Sequence, residues 1–107
     1  MTSFDERKDS FEKKFAHDEA LRFKAEARRN KLLGQWAAGL MGLKGDEAEA
    51  YAKSVVKADF EEAGDDDVFR KVQKDLAEAG AGQSDHQIRR HMDEFMAEAI
   101  KQIKEQG

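Results

Sequence analysis

The chain has 107 residues, 39% charged and 39% hydrophobic, with no proline and no cysteine. This length predicts one domain, and the lack of proline among many Ala, Glu, Lys, Arg and Leu residues predicts an all-helical fold. The absence of cysteine excludes disulfides and a thiol nucleophile, and the net charge of −4 argues against nonspecific nucleic-acid binding.

The first eighteen residues carry three phenylalanines, Phe4, Phe11 and Phe15, among alternating charges. In a helix the three rings would lie within about 40° of one another and form one aromatic stripe. Burying each ring contributes roughly 1.5–3 kcal/mol, whereas ordering each of roughly fifteen residues costs about 1–2 kcal/mol of backbone entropy. We therefore predict an arm that is disordered in the free protein and becomes helical in the groove of a partner.

The first predicted helix of the bundle has a separate apolar stripe. Its members are Leu21, Ala25, Leu32, Leu33, Trp36, Leu40 and Leu43. The mean direction of this stripe lies about 60° from the phenylalanine stripe, so one straight helix cannot bury both stripes against one surface. The mismatch predicts an interaction arm, residues 1–18, and a helical bundle, residues 19–107. The alternative is an arm that folds back across the bundle and places its rings in the core.

Capping residues and glycines predict the second and third helices. Asp46 with Glu49 predicts an N-cap and its capping-box partner, and Gly64 predicts the end of that helix. One of the aspartates at 65–67 is expected to cap the third helix, which Gly80 ends. The apolar positions of the two helices are Ala48, Ala52, Val55, Val56, Phe60, Ala63, Val68, Phe69, Val72, Leu76 and Ala79.

The fourth helix has the strongest pattern in the chain. Ser84 with Gln87 predicts a capping box, and an amphipathic stripe follows it. The stripe consists of Ile88, Met92, Phe95, Met96, Ala99 and Ile103. Four helices with short connections predict an up-down four-helix bundle with a flexible N-terminal arm.

No pattern in the chain predicts catalysis or a metal site. His86 and His91 would lie about 140° apart on a helix, so they cannot bind one metal from one face; we expect His86 at the surface and His91 packed. Gly34 and Gly39 lack the lysine and the preceding strand of a phosphate-binding loop, so we expect them to allow close helix packing. We predict a protein that is not an enzyme and needs no cofactor.

Arg28, Arg29 and Lys31 form a short basic cluster, for which a solvated helix face is the favoured interpretation. The alternative is a small-ligand sensor in which Arg28 and Arg29, with Gly34 and Trp36, hold a nucleotide-like anion. The longest apolar run, residues 32–43, is too short to cross a bilayer. We therefore predict a cytoplasmic protein without membrane insertion.

Three segments carry a resemblance to a known family. They are Phe4-Asp-Glu-Arg7, Phe11-Glu-Lys-Lys-Phe15-Ala-His-Asp18 and Phe23-Lys-Ala-Glu-Ala-Arg28-Arg-Asn-Lys-Leu-Leu-Gly34-Gln-Trp36-Ala-Ala. This pattern resembles the zeta-type inhibitor subunit of alphaproteobacterial F-type ATP synthases. The similarity covers essentially the whole chain and is most specific over residues 4–38.

The resemblance implies a four-helix bundle with a mobile N-terminal inhibitory segment. That segment would enter a catalytic interface of the synthase head, become helical against the alpha, beta and gamma subunits, and block rotation in the ATP-hydrolysing direction. The implied partner-binding residues are Phe4, Arg7, Phe11, Lys13, Lys14 and Phe15. The resemblance also implies a place at the inner face of the plasma membrane when bound to the synthase, and it leaves weak nucleotide binding open.

Overall fold

A computed structural model of the chain describes residues 18–59 and 65–106. These residues form four helices, α1 (Glu19–Leu40), α2 (Asp46–Ala58), α3 (Asp66–Glu78) and α4 (Asp85–Gln106). The predicted all-α fold with four helices is therefore confirmed. The arm before Asp18 lies outside the described residues, so the division at residue 18 stays a prediction. Gly64 lies outside them too, but α2 ends at Ala58 with Asp59 as its C-cap, earlier than the end predicted at Gly64.

Side chains cap two of the helices. The Asp18 carboxylate accepts a hydrogen bond from the Leu21 backbone N–H at 3.1 Å and so caps α1. At the start of α4 the Ser84 hydroxyl accepts from the Gln87 N–H at 3.1 Å, and the Gln87 side chain accepts from the Ser84 N–H at 3.2 Å. The predicted capping box of the fourth helix is therefore confirmed.

Glycines end α1 and α3. Gly80 has a φ of +74°, and the next residue, Ala81, donates its N–H to the Leu76 carbonyl at 2.9 Å. This arrangement satisfies a carbonyl in the last turn of α3, and it requires a left-handed residue at the glycine position. The predicted stop at Gly80 is confirmed, and Gly42, with a φ of +79°, ends α1 in the same way.

The start of α2 differs from the prediction. Asp46 is the first residue of the helix rather than its N-cap, which is Gly45, and no side chain bonds to the cap position. Gly45 has a φ of +56°, a conformation that an aspartate adopts only with strain, so glycine occupies the cap. Asp46 still favours the helix through the dipole of its first turn. Asp65 is the N-cap residue of α3, but its side chain makes no capping bond either.

The core lies where α1 packs against α2 and α4, with α3 closing it. Its main cluster consists of Leu33, Ala37, Val55, Val68, Phe69, Val72, Leu76, Ile88 and Met92. The predicted leucine stripe of α1 is partly wrong, because Leu40 is 40% exposed and Leu21, Leu32 and Trp36 are half-buried. Since α1 is covered by two helices, its buried surface is broader than one stripe and consists mainly of small side chains.

Gly34 allows α1 and α2 to approach closely. A Cβ at this position would lie 2.6 Å from the Ala52 Cα, whereas a Cβ at Gly39 would meet nothing within 4 Å. Close packing is therefore confirmed for Gly34 and wrong for Gly39, which is exposed near the end of α1.

We expect Gly34→Ala to lower the free energy of unfolding by about 1–3 kcal/mol, because the Ala52 backbone cannot yield without moving α2. Gly39→Ala is the matched control and should raise stability by up to about 0.5–1 kcal/mol, since it adds helix propensity in open space. Urea denaturation of both variants measures the difference. Equal effects at the two positions would contradict the close approach of the helices.

Candidate functional site

The predicted partner-binding residues all precede α1. Phe4, Arg7, Phe11, Lys13, Lys14 and Phe15 lie outside the described residues, and their contacts stay predictions. The described chain begins at Asp18, the N-cap of α1, and these six positions precede it in the sequence.

Arg29 is buried inside the bundle, with 2% of its surface exposed. Its Nε donates to the Asn30 Oδ1 at 2.9 Å, and its Nη1 and Nη2 lie 3.2 and 4.0 Å from carboxylate oxygens of Asp65 and Asp59. These aspartates lie at the two ends of the α2–α3 connection, so Arg29 of α1 forms ion pairs with both ends of that connection. The solvated face predicted from the sequence is wrong for Arg29, because two carboxylates from another part of the chain compensate its buried charge.

Arg28 is directed at a different element. Its Nη1 donates to the Gln102 side chain at 2.7 Å and its Nη2 to the Gln106 side chain at 3.4 Å. Both partners lie near the end of α4, whereas Arg29 faces the α2–α3 connection. The two guanidinium groups are thus held by separate partners, and a joint role in anion binding stays a prediction.

Trp36 stacks on His91 at the contact of α1 with α4. The two ring centroids are 4.1 Å apart and the ring planes differ by 17°, and Phe95 lies 5.9 Å from the His91 ring. The His91 Nδ1 is 2.8 Å from the Gln87 carbonyl oxygen, so Nδ1 carries the proton and donates it. The expectation of a packed His91 is confirmed, and His86 is exposed as expected.

A charged cavity of about 450 Å³ lies between α2 and α3. Its lining consists of Ser54, Lys57, Ala58, Asp67, Lys71, Lys74 and Asp75. At its edge the Tyr51 hydroxyl donates to the Asp75 Oδ2 at 2.9 Å, and the Lys71 Nζ bonds to the same oxygen at 3.0 Å. The sequence offered only the i,i+4 spacing of Lys71 and Asp75 as a signal, since Tyr51 comes from another helix.

Burial raises the pKa of Tyr51 well above its ordinary value of 10.0, and the hydrogen bond to Asp75 and the negative charge of that carboxylate raise it further. The folded state therefore holds the phenol proton more tightly than the unfolded state does. The resulting stability is fully present below pH 10 and is lost as the pH rises through the raised value.

We expect Tyr51→Phe to cost about 0.5–1.5 kcal/mol at pH 7, because Asp75 loses one donor but keeps Lys71. Above pH 10 the wild type should lose stability faster than the variant, so the two curves should converge. Thermal denaturation from pH 7 to 11 measures both effects. A constant difference over the whole range would show that the Tyr51 hydroxyl titrates as it does in the unfolded chain.

The described residues contain no group of three or more His, Cys, Asp and Glu side chains that could hold a metal ion. None of the helices described here is both long enough and apolar enough to cross a membrane. The described residues thus form a helical bundle with a buried arginine paired to two aspartates and a stacked Trp36–His91 pair, and the predicted arm precedes this bundle in the sequence.

A family model described as ATPase inhibitor subunit zeta matches residues 1–102, which include the arm and almost the whole bundle. The chain belongs to this zeta family. A solution NMR structure is similar to this zeta chain, with 49% identity, a TM-score of 0.72, and coverage of 81% of this chain and 99% of the other. A search of curated proteins found no match.

Family membership supports the role of an ATPase inhibitor for this zeta chain. The family match includes all six predicted partner-binding positions, from Phe4 to Phe15. The sequence did not reveal the Arg29 ion pairs or the Trp36–His91 stack, because both depend on which helices meet.

Proposed function

We propose that this zeta chain inhibits ATP hydrolysis by an F-type ATP synthase through its N-terminal arm. The observation that carries the proposal is the family match over residues 1–102, which includes both the arm and the bundle. The arm folds into a helix in a catalytic interface of the synthase head, against the alpha, beta and gamma subunits. Lodged there, it blocks rotation in the hydrolysing direction, at the inner face of the plasma membrane. The chain acts as a regulator without catalytic activity of its own.

The arm has the residue types that such an interface needs. Phe4, Phe11 and Phe15 supply aromatic anchors, and buried aromatic anchors carry much of the binding energy at protein interfaces. Arg7, Lys13 and Lys14 supply cations that pair with carboxylates of the partner and fix the register of the helix. Folding on binding costs backbone entropy, which the burial of the three rings offsets in part.

The bundle holds the arm close to its binding site. Its first helix follows the arm directly, with Asp18 as the N-cap of α1. A second contact made by the bundle would raise the effective concentration of the arm at the interface, because the later binding step becomes intramolecular. This predicts that the complete chain inhibits at lower concentration than a peptide of the arm.

We expect removal of residues 1–18 to abolish inhibition of ATP hydrolysis by the isolated synthase head. The full-length chain, measured beside the truncated one, should inhibit in a saturable manner. Circular dichroism of the truncated chain checks that the bundle still folds. Inhibition by the truncated chain equal to that of the full chain would contradict the proposal.

The anion-sensor alternative at Arg28 and Arg29 stays a prediction. In the structure Arg29 already faces two carboxylates, and Arg28 already bonds to two glutamines. Titration with ATP, followed by the fluorescence of the single tryptophan, Trp36, distinguishes this alternative from arm-mediated inhibition.

A further inference from the structure

An apolar groove with a positively charged rim lies between α1 and α2. It consists of two adjoining cavities of about 380 and 370 Å³, which share Lys31 and Val56 in their linings. The remaining lining residues are Phe23, Lys24, Ala27, Arg28, Glu49, Ala52 and Lys53. We call this surface the basic groove.

The charge of the basic groove is not balanced by its own lining. Its rim has four cations, Lys24, Arg28, Lys31 and Lys53, against one carboxylate, Glu49. The three lysines are exposed, and within residues 18–59 and 65–106 none of them forms an ion pair. Among the described residues, the partners of the Arg28 guanidinium are the neutral side chains of Gln102 and Gln106.

Several cations of α3 and α4 are paired with carboxylates. Lys71 lies 3.0 Å from the Asp75 carboxylate, Arg89 is 3.0 Å from Asp66, and a further arginine of α4 pairs with the glutamate one turn later. In a chain with a net charge of −4, the basic groove thus brings three lysines without an ion pair among the described residues around one apolar floor.

We propose that the basic groove is a second docking surface of this chain, which binds an acidic amphipathic helix of the same ATPase that the arm inhibits. This inference rests on the proposed function. An amphipathic helix fits because its apolar side can lie on Ala27, Ala52 and Val56 while its carboxylates reach the lysines of the rim. Opposite charges would speed the encounter and orient the bundle.

Other occupants fit the charge of the groove less well. The arm, residues 1–18, carries five acidic and four basic side chains, so its net charge of −1 compensates little of the rim. A second copy of the chain, docked symmetrically, would bring two positively charged rims together. An anionic bilayer is flat and cannot fill a concave apolar groove, whereas a helix can.

The test compares two double variants with the same change in net charge. Lys24→Glu/Lys31→Glu reverses two cations of the rim, and Lys44→Glu/Lys101→Glu reverses two exposed lysines elsewhere, neither of which forms an ion pair within the described ranges. Each full-length variant is titrated against ATP hydrolysis by the purified synthase head. Thermal denaturation checks that both remain folded.

We expect the groove variant to need about tenfold more protein for half-inhibition at low salt, with a smaller difference at high salt because salt screens exposed charges. The control variant should stay within about twofold of the wild type. Equal shifts in both variants, or no shift in either, would overturn the docking surface while inhibition by the wild type still supports the proposed function. No inhibition by the wild type would overturn the proposed function, and the partner named here with it.

A photo-crosslinker identifies the occupant directly. Benzoylphenylalanine in place of Ala27, on the floor of the groove, should crosslink to an acidic helical segment of the synthase head. Crosslinks only to a second copy of the chain would overturn the proposal. Binding to phosphatidylglycerol vesicles that the groove variant loses, with unchanged inhibition of the head, would assign the groove to lipid and overturn it as well.

Discussion

Replacing Phe11 and Phe15 by alanine is expected to abolish inhibition of ATP hydrolysis and to leave the thermal stability of the bundle nearly unchanged. Two aromatic anchors removed from one interface cost roughly 4 kcal/mol or more in binding, which is about a thousandfold in affinity. Because the proposal places both rings in the partner and not in the bundle core, the unfolding midpoint should not move. Half-inhibition concentrations and thermal denaturation of the same preparations measure the two effects.

Phe95→Ala is the matched control within the bundle. Phe95 is half-buried against the core cluster, with its ring 6.5 Å from Trp36 and 5.9 Å from His91. Its removal should cost about 2–3 kcal/mol of stability but should preserve inhibition well below the unfolding temperature. If Phe11→Ala/Phe15→Ala lost stability in the same way, the rings would belong to the core, and the arm would fold back across the bundle.

Local signals in the sequence predicted the ends of the helices best. Ser84 and Gln87 form both reciprocal bonds of a capping box, and Gly80 takes the left-handed conformation that its position requires. These devices act over three or four residues, so the chain specifies them without reference to the rest of the fold. The prediction of Asp46 as the N-cap of α2 was wrong. The N-cap residue is Gly45, because its positive φ of +56° favours glycine over aspartate.

Burial on α1 was harder to predict, because it depends on partners distant in sequence. Arg29 and Asn30 are 2% and 0% exposed, although their residue types are typical of surfaces. The buried guanidinium is compensated by Asp59 and Asp65, which follow it in the sequence by 30 and 36 positions. The wide buried surface of α1 likewise follows from its contact with both α2 and α4, which no periodicity within α1 reveals.

The candidate site likewise has one part that the sequence predicts and one part that only the packing of the helices shows. The aromatic stripe of Phe4, Phe11 and Phe15 is readable from the sequence, and the family match includes it. The basic groove is not readable, because its rim combines Lys24 and Lys31 of α1 with a lysine of α2. Only the packing of the two helices shows that these cations surround one apolar floor.

Arg29→Met is expected to lower the free energy of unfolding by about 2–3 kcal/mol. Methionine fills much of the volume, but it removes the charge that the Asp59 and Asp65 carboxylates face. Breaking a fully buried pair costs roughly 3–5 kcal/mol. We expect less here because the Asp65 side chain is 49% exposed and water can solvate it. Urea denaturation measures the change.

Arg29→Met should loosen the region around the α2–α3 connection more than the rest of the bundle. Arg29 connects α1 to both sides of the α2–α3 connection, so its loss should increase hydrogen exchange at the last turn of α2 and the first turn of α3 more than in α4. Arg28→Met serves as the control, because Arg28 bonds to glutamines of α4 and should cost at most about 1 kcal/mol. Equal destabilisation by the two variants, with exchange increased uniformly, would mean that Arg29 only fills space. Selective release of the connection would instead show that one buried cation holds α2 and α3 in the positions that form the core with α1.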